Sequence, residues 1–253
     1  MIIDQTSFQH LVPGVSGKGG ESNRICMSEY YNHYSINNGT NFNIKFPLKG
    51  NIHFKTDGGE FELCPGYYFL SYQQKGAMFI DSKIPVRFIS IDIQPQTMYE
   101  AFDRLSTNGG NAPKGLQPDD LFSDYFIEHI YPIEGSDLGK TLAKLGKALM
   151  AKGAERTSIN EVSFSNLAEK IVLSGLVNYK YIRNLNSIKT TTKKETLKRL
   201  LMGKHYIDEH YSRNPEVAEI AKACSLSGFH FLRSFKQAFS LSPYQYMLQK
   251  RLQ

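Results

Sequence analysis

The sequence predicts an α+β chain: an antiparallel β-sandwich or small barrel first, a run of helices next, and an all-α helix-turn-helix segment last. Apolar residues alternate with period two from Phe42 to Phe54, helical spacing replaces that period after Pro95, and Lys and Arg accumulate from Arg183 onward. With 253 residues, 41% of them hydrophobic, the chain can build one large core or two medium ones.

Phe42, Ile44, Phe46, Leu48, Ile52 and Phe54 occupy even positions, while Asn43, Lys45, Lys49, Asn51, His53 and Lys55 occupy odd ones. One face of these strands is therefore expected to be buried and the other wet. Asp57-Gly58-Gly59 is a hairpin signal. Glu60 to Leu63, Tyr67 to Tyr72, Ala77 to Ile80 and Val86 to Ile93 follow as short strands, separated by Pro-Gly, Lys-Gly and Ile-Pro breaks. The interior formed by Phe42, Ile44, Phe46, Phe54 and Tyr68 is apolar and aromatic, which suits a plain core or the wall of a small-molecule site.

After Pro95 the spacing predicts helices over Thr97 to Leu105, Asp119 to Ile130, Ser136 to Lys152 and Ser158 to Leu185, with a Gly- and Asn-rich loop from Asn108 to Gly115. The last of these carries Ile159, Val162, Leu167, Ile171, Leu176, Val177 and Ile182. It either packs on its own domain or joins its neighbour Ser136 to Lys152 in a dimer contact. Asn186 to Lys194 has no apolar period and reads as a linker. The expected division is a β domain over 1–95, a helical segment over 96–185 that is a candidate dimer contact, the linker over 186–194 and a basic domain over 195–253.

Charge supports that division. From Arg183 onward there are 13 Lys and Arg against 5 Asp and Glu, while the rest of the chain holds 17 against 19. A basic domain on a near-neutral one favours a polyanion at one end, although a soluble surface would look the same. The 3 cysteines form no CxxC pair, so neither a disulfide framework nor a zinc site is expected. No apolar run approaches a membrane span, and the N-terminus lacks a secretion signal, so a cytoplasmic protein without membrane contact is expected.

Glu195 to Tyr211 places Leu197, Leu200, Leu201, Tyr206 and Ile207 on one face, and the Arg213-Asn214-Pro215 break follows. Glu216 to Ala223 turns Val217, Ile220 and Ala221 inward, and after a short turn Ser227 caps a helix running to about Phe239. In that helix Phe231, Phe235 and Ala238 or Phe239 face the core. Phe229, Leu232, Arg233 and Lys236 then form the outer stripe. Arg can donate two hydrogen bonds to guanine in the major groove, and apolar groups can meet the thymine methyl, so this stripe suits a DNA reader as well as a solvated face.

Ile220-Ala221, Ser227, Phe231, Arg233, Phe235-Lys236, Ser242-Pro243, Tyr246 and Arg251-Leu252 together resemble the AraC/XylS family of transcription regulators. The family pattern is an Ile-Ala helix, then S-x-x-x-L-x-R-x-F-K, then G-x-S-P-x-x-Y and R-L. The resemblance covers about sixty residues at the end of the chain and implies a sequence-specific regulator of transcription that binds double-stranded DNA. It places base-facing positions at Phe229, Leu232 and Arg233 and phosphate contacts at Ser227 and Lys236, with Arg213 and Asn214 as further backbone contacts. It also implies a cupin-like sensor barrel, to which Leu63-Cys64-Pro65-Gly66 adds a cupin-like turn. A small-molecule effector in the barrel, a homodimer and RNA polymerase are the other expected partners.

The sequence departs from the family pattern in having Ser240 where Gly is usual, a position that tends to need a left-handed backbone. The family has two helix-turn-helix units and this sequence ends at Gln253 after the first, so it is expected to be a piece of a longer chain, the alternative being a protein without the second unit. A cupin enzyme is the first rival reading. His33 and His53 are isolated and no closely spaced His and Glu set is present, so no enzyme, metal or cofactor is expected. The second rival is a sensor that no longer binds DNA.

Overall fold

The computed structural model describes residues 8–11, 23–56, 59–73, 75–109, 112–152, 161–186 and 189–252. The chain packs as two units, one from residues 1–113 and 128–173, the other from residues 114–127 and 174–253.

The first unit is built on one antiparallel sheet of β1 (Phe8–Leu11), β2 (Arg24–Asn38), β3 (Phe42–Lys49), β4 (Ile52–Thr56), β5 (Gly59–Leu63), β6 (Tyr67–Tyr72), β7 (Lys75–Ile93) and β8 (His129–Pro132). β7 is its spine. β2 runs along nearly all of it, β4 pairs with its first half and β3 with its second, and β6 and β8 follow outward from β3. Phe61 on β5 and Phe69 on β6 bring their rings to 4.8 Å, which nearly closes the sheet into a barrel.

The turns follow from local chemistry. Between β3 and β4, Gly50 has φ 73°, and a Cβ there would also lie 2.8 Å from Val86 Cγ2. In the Cys64-Pro65-Gly66 turn, Gly66 has φ 93° and the Tyr67 N–H donates to the Cys64 carbonyl at 3.2 Å. Asp57 and Gly58 of the expected hairpin lie outside the described residues, but β4 and β5 pair down to Thr56 opposite Gly59. The two strands expected over Ala77 to Ile80 and Val86 to Ile93 are one. The β2–β7 register slips between Tyr30 opposite Val86 and Asn32 opposite Asp81, and this irregularity absorbs Pro85 without a broken strand.

Helices complete the unit: α1 (Pro95–Gly109), α3 (Asp137–Lys152) and the first part of α4 (Glu161–Asn184). The Arg104 side chain of α1 donates to Glu169 and Ser165 on α4. The helix expected over Asp119 to Ile130 is only partly formed. Pro118–Asp120 (α2) widens into a π-helical turn over Leu121–Tyr125, after which the chain extends into β8. Pro132 keeps the residue before it out of the helical region, and pairing of Ile130 and Tyr131 with β6 takes up the backbone polar groups.

In the second unit the end of α4 joins α5 (Thr190–His210), α6 (Val217–Ala223), α7 (Gly228–Phe239) and α8 (Pro243–Arg251) around one core. Ile182, Leu197, Leu200, Ile207, Ile220, Phe231, Phe235 and Met247 are all buried in it. The expected linker is shorter than the sequence suggests, because Thr190 to Lys194 form the first turn and more of α5. Burial of Leu197 and Leu200 stabilises the helix, the Glu195–Arg199 pair at 3.2 Å supports it, and Lys194 Nζ donates to the Ser123 carbonyl at 2.9 Å.

Candidate nucleic-acid interface

Two short helices and a tight turn carry the candidate interface. α6 ends at Ala223 with Cys224 as its cap, Ser225 takes φ 55°, and the Leu226 N–H donates to the Ala221 carbonyl at 2.9 Å. Arg199 on α5 braces the turn by donating to the Ser225 carbonyl at 3.0 Å. Ser227 caps α7, its hydroxyl accepting the His230 N–H at 3.3 Å. At the other end Ser240 takes φ 61° and donates its N–H to the Lys236 carbonyl at 2.9 Å, so Ser supplies the left-handed residue where Gly is usual in the family. α8 opens with Pro243 and a capping box in which Ser242 and Gln245 each accept the other's backbone N–H.

This frame fixes which side of α7 faces solvent. Phe231 and Phe235 are fully buried and Ser234 and Ala238 nearly so, whereas Phe229 is 76% and Leu232 42% exposed. Arg233 and Lys236 lie on the same exposed face, and neither makes an ion pair among the described residues. An exposed Phe and Leu beside two cations suit a helix that enters a groove lined by bases and phosphates.

The other candidate contacts are differently placed. Arg213 is held by Glu219 at 2.6 and 3.1 Å and by the Tyr206 hydroxyl at 2.6 Å, and this guanidinium and phenol together hold the Glu219 carboxyl down at about 2. Asn214 has φ 58°, and its side chain accepts from Arg251 at 2.9 Å. Lys250 pairs with Asp208 at 3.0 Å, and the Tyr246 hydroxyl donates to the same carboxylate at 2.7 Å, so Tyr246 is a packing residue. Burial and that carboxylate raise the Tyr246 phenol.

Residues 207–248 match the model of bacterial regulatory helix-turn-helix proteins of the AraC family. Residues 207–248 form an AraC-type helix-turn-helix. The match agrees with the family pattern carried by Ile220-Ala221, Ser227, Arg233 and Phe235-Lys236, and it makes the chain a DNA-binding transcription regulator. A comparison with curated proteins returns no match. Among solved structures, an apo variant of ToxT from Vibrio cholerae is 10% identical, with 89% of this chain and 97% of that one aligned at a TM-score of 0.41. The AraC-like transcriptional activator CuxR is 11% identical, with 97% and 85% aligned at 0.37. ToxT from Vibrio cholerae O395 bound to (E)-4-(8-methylnaphthalen-1-yl)but-3-enoic acid is 11% identical, with 91% and 100% aligned at 0.38. These likenesses are remote.

The five residues expected to line the barrel do not share one space. Phe54 packs inside against Phe61, Phe69, Met78 and Phe88. Phe42, Ile44 and Phe46 stand opposite Ile93, Ile91 and Ile89, on the other side of the sheet from the interior Phe88. That side faces helix α3, where a Cβ on Gly146 would lie 3.4 Å from Phe46 and 4.0 Å from Ile89. Tyr68 also points away from the interior Phe69, stacking on Tyr131 at 5.5 Å, and burial pushes its phenol up to about 12.

The side expected to be wet is in part the interior. Arg24, Asp92, Asn43 and Ser71 stand abreast across four strands, and Cys26, Ser90, Lys45 and Phe69 form the next row. Asn43 and Ser71 are buried, and burial pushes the Lys45 ammonium down to about 8. A cleft of about 100 Å³ opens beside Lys45 between Ser35, Phe54, Gly76 and Met78. Lys45 was missed because an alternating lysine reads as solvent-facing. Among the described residues, no group of three or more His, Cys, Asp or Glu is placed to hold a metal ion.

Proposed function

We propose that α7 enters the DNA major groove with Arg233 and Leu232 on base edges, Phe229 against a thymine methyl, and Lys236 and Ser227 on phosphates. The observation that carries this reading is the exposed stripe of Phe229, Leu232, Arg233 and Lys236 on a helix whose opposite face is buried, within the family-matched segment. Arg213 and Asn214 are backbone contacts of second rank, since both side chains already have partners in the protein.

In the same proposal the chain acts as a homodimer whose barrel takes a small molecule and thereby shifts the affinity of the paired reading units for DNA, with RNA polymerase as the downstream partner. The cleft beside Lys45 supports the sensing part. The deciding experiment is fluorescence anisotropy on promoter DNA from the protein's own locus against random DNA, from 50 to 200 mM salt. Preferential binding that weakens steeply with salt is expected. Equal affinity for both DNAs at every salt concentration overturns the reading.

A further inference from the structure

The α6–α7 turn and the first turn of α7 face α5 across an open groove rather than across packed side chains. The groove holds about 520 Å³, with Thr192, Glu195 and Thr196 on one side and Ser225, Ser227 and His230 on the other. Farther along, Phe231 packs directly on α5 at Gly203. The core therefore sets the body of α7, while its N-terminal turn depends on what crosses the groove. Among the described residues, the hydrogen bond that crosses it runs from Arg199 Nη1 to the Ser225 carbonyl at 3.0 Å, and that carbonyl has no other donor. Ser225 is the left-handed residue of the turn, at φ 55°, a conformation in which a side chain is strained. One helical turn back, Glu195 accepts from Arg199 Nε at 3.2 Å, so one arm of the rigid guanidinium fork is aimed by Glu195 and another grips the turn. Both side chains are half-exposed, and a pair of that kind adds little to global stability, so the fork acts on where the turn sits.

We propose that Arg199 is a positioning residue for base reading: it holds Ser225 left-handed and thereby fixes the first turn of α7, with Ser227 and Phe229, against α5. This rests on the reading of α7 as the helix that enters the major groove. The N-terminal residues of such a helix meet the base edges, and a reading side chain held about 1 Å too loosely loses directional contacts. Without the fork, Ser225 relaxes, and the Leu226 and His230 N–H bonds that close the turn open more often. Phe229 and Arg233 then lose their common aim. Arg199 itself reads no base and acts through Ser225. The attraction of Lys236 to phosphates does not depend on that aim, so random DNA is bound nearly as before.

The test uses the whole chain as wild type, Arg199→Gln, Ser225→Gly and the double variant, with circular dichroism to confirm folding. Amide hydrogen exchange reads the turn without DNA, and anisotropy on promoter and random DNA reads the preference. Arg199→Gln is expected to speed exchange of the Leu226 and His230 amides about tenfold while the Phe235 amide is unchanged. It is also expected to narrow the preference for promoter DNA about fivefold with the salt slope unaltered. Glycine takes the left-handed conformation without a brace, so the double variant is expected to recover most of that preference, with Ser225→Gly alone as its reference. Unchanged exchange or preference in Arg199→Gln, or no recovery in the double variant, overturns the proposal. A salt slope lower by about one also overturns it, by making Arg199 a phosphate contact. A wild type that does not prefer promoter DNA overturns the major-groove reading and this proposal with it, whereas the outcomes above overturn the proposal alone.

Discussion

Lys45 and Phe46 are adjacent on β3 and point to opposite sides of the sheet, the lysine into the barrel and the phenylalanine toward Gly146 on α3. Both sides of this strand are therefore enclosed by protein, and the polar one is the inside. Three further relationships of this kind lead to measurable consequences.

Replacing Lys45 should change how stability depends on pH. Its folded pKa of about 8 lies below the ordinary lysine value of 10.5 because burial disfavours the charge, with Asp92 opposing that effect and Arg24 adding to it. Below pH 8 the residue is charged in both states and the full penalty of enclosing the charge is present. Between about 8 and 10.5 the folded protein has shed a proton that the unfolded chain still holds, so wild-type stability rises with pH. Lys45→Met should be more stable than wild type by about 1–3 kcal/mol at pH 7, narrowing toward pH 10. Urea denaturation of both proteins at pH 7, 8.5 and 10 checks this, and a constant difference would contradict it.

The same strand shows how far the sequence could be read. The alternation from Phe42 to Phe54 correctly grouped the side chains of each strand by face, but period two does not say which face is enclosed. The Gly50 turn and the twist of the sheet put Phe54 inside and Phe46 outside, although both are even-numbered. β2 went unread because its Tyr-, Asn- and Ser-rich sequence has little hydrophobic contrast, and its place depends on pairing with β7. α7 was legible almost to the residue, since the Ser227 cap and the Phe231 and Phe235 spacing are local signals that tertiary packing reinforces. The Asp119 to Ile130 helix failed where a non-local partner, β6, outbid local spacing.

Gly203 on α5 lets the recognition helix approach. A Cβ at that position would lie 2.6 Å from Phe231 Cε2 and 3.3 Å from Cys224 Sγ, and both neighbours are buried. Gly203→Ala gains about 1 kcal/mol of helix propensity but must displace the Phe231 ring, and overpacking of this kind costs about 1–3 kcal/mol. A net loss of stability with weaker DNA binding is expected. Thermal unfolding and anisotropy measured on one preparation test it, and a stabilised variant would show that Phe231 can yield.

Ser240 holds a left-handed conformation at φ 61°, and its hydroxyl is not needed for the bond its N–H makes to Lys236. Ser240→Gly should keep that bond and relieve the backbone, raising stability by about 0.5–1 kcal/mol. An increase in the denaturation midpoint with an unchanged denaturant slope is the expected result. A decrease would mean that the serine side chain contributes more than its backbone strain costs.

Arg233 and Lys236 share one exposed face of α7, yet their replacement should act differently. Neither side chain makes an ion pair among the described residues, so Arg233→Ala and Lys236→Ala should each leave stability within about 0.5 kcal/mol. Loss of a bidentate guanine contact at Arg233 should cost about 1–3 kcal/mol of specific binding and relax the preference at one base pair. Loss of a phosphate contact at Lys236 should weaken specific and random DNA alike and reduce the salt slope by about one. Binding-site selection on the two variants separates these outcomes. A salt-slope change without relaxed specificity at Arg233 would move that residue from the bases to the backbone, leaving Leu232 and Phe229 as the reading pair.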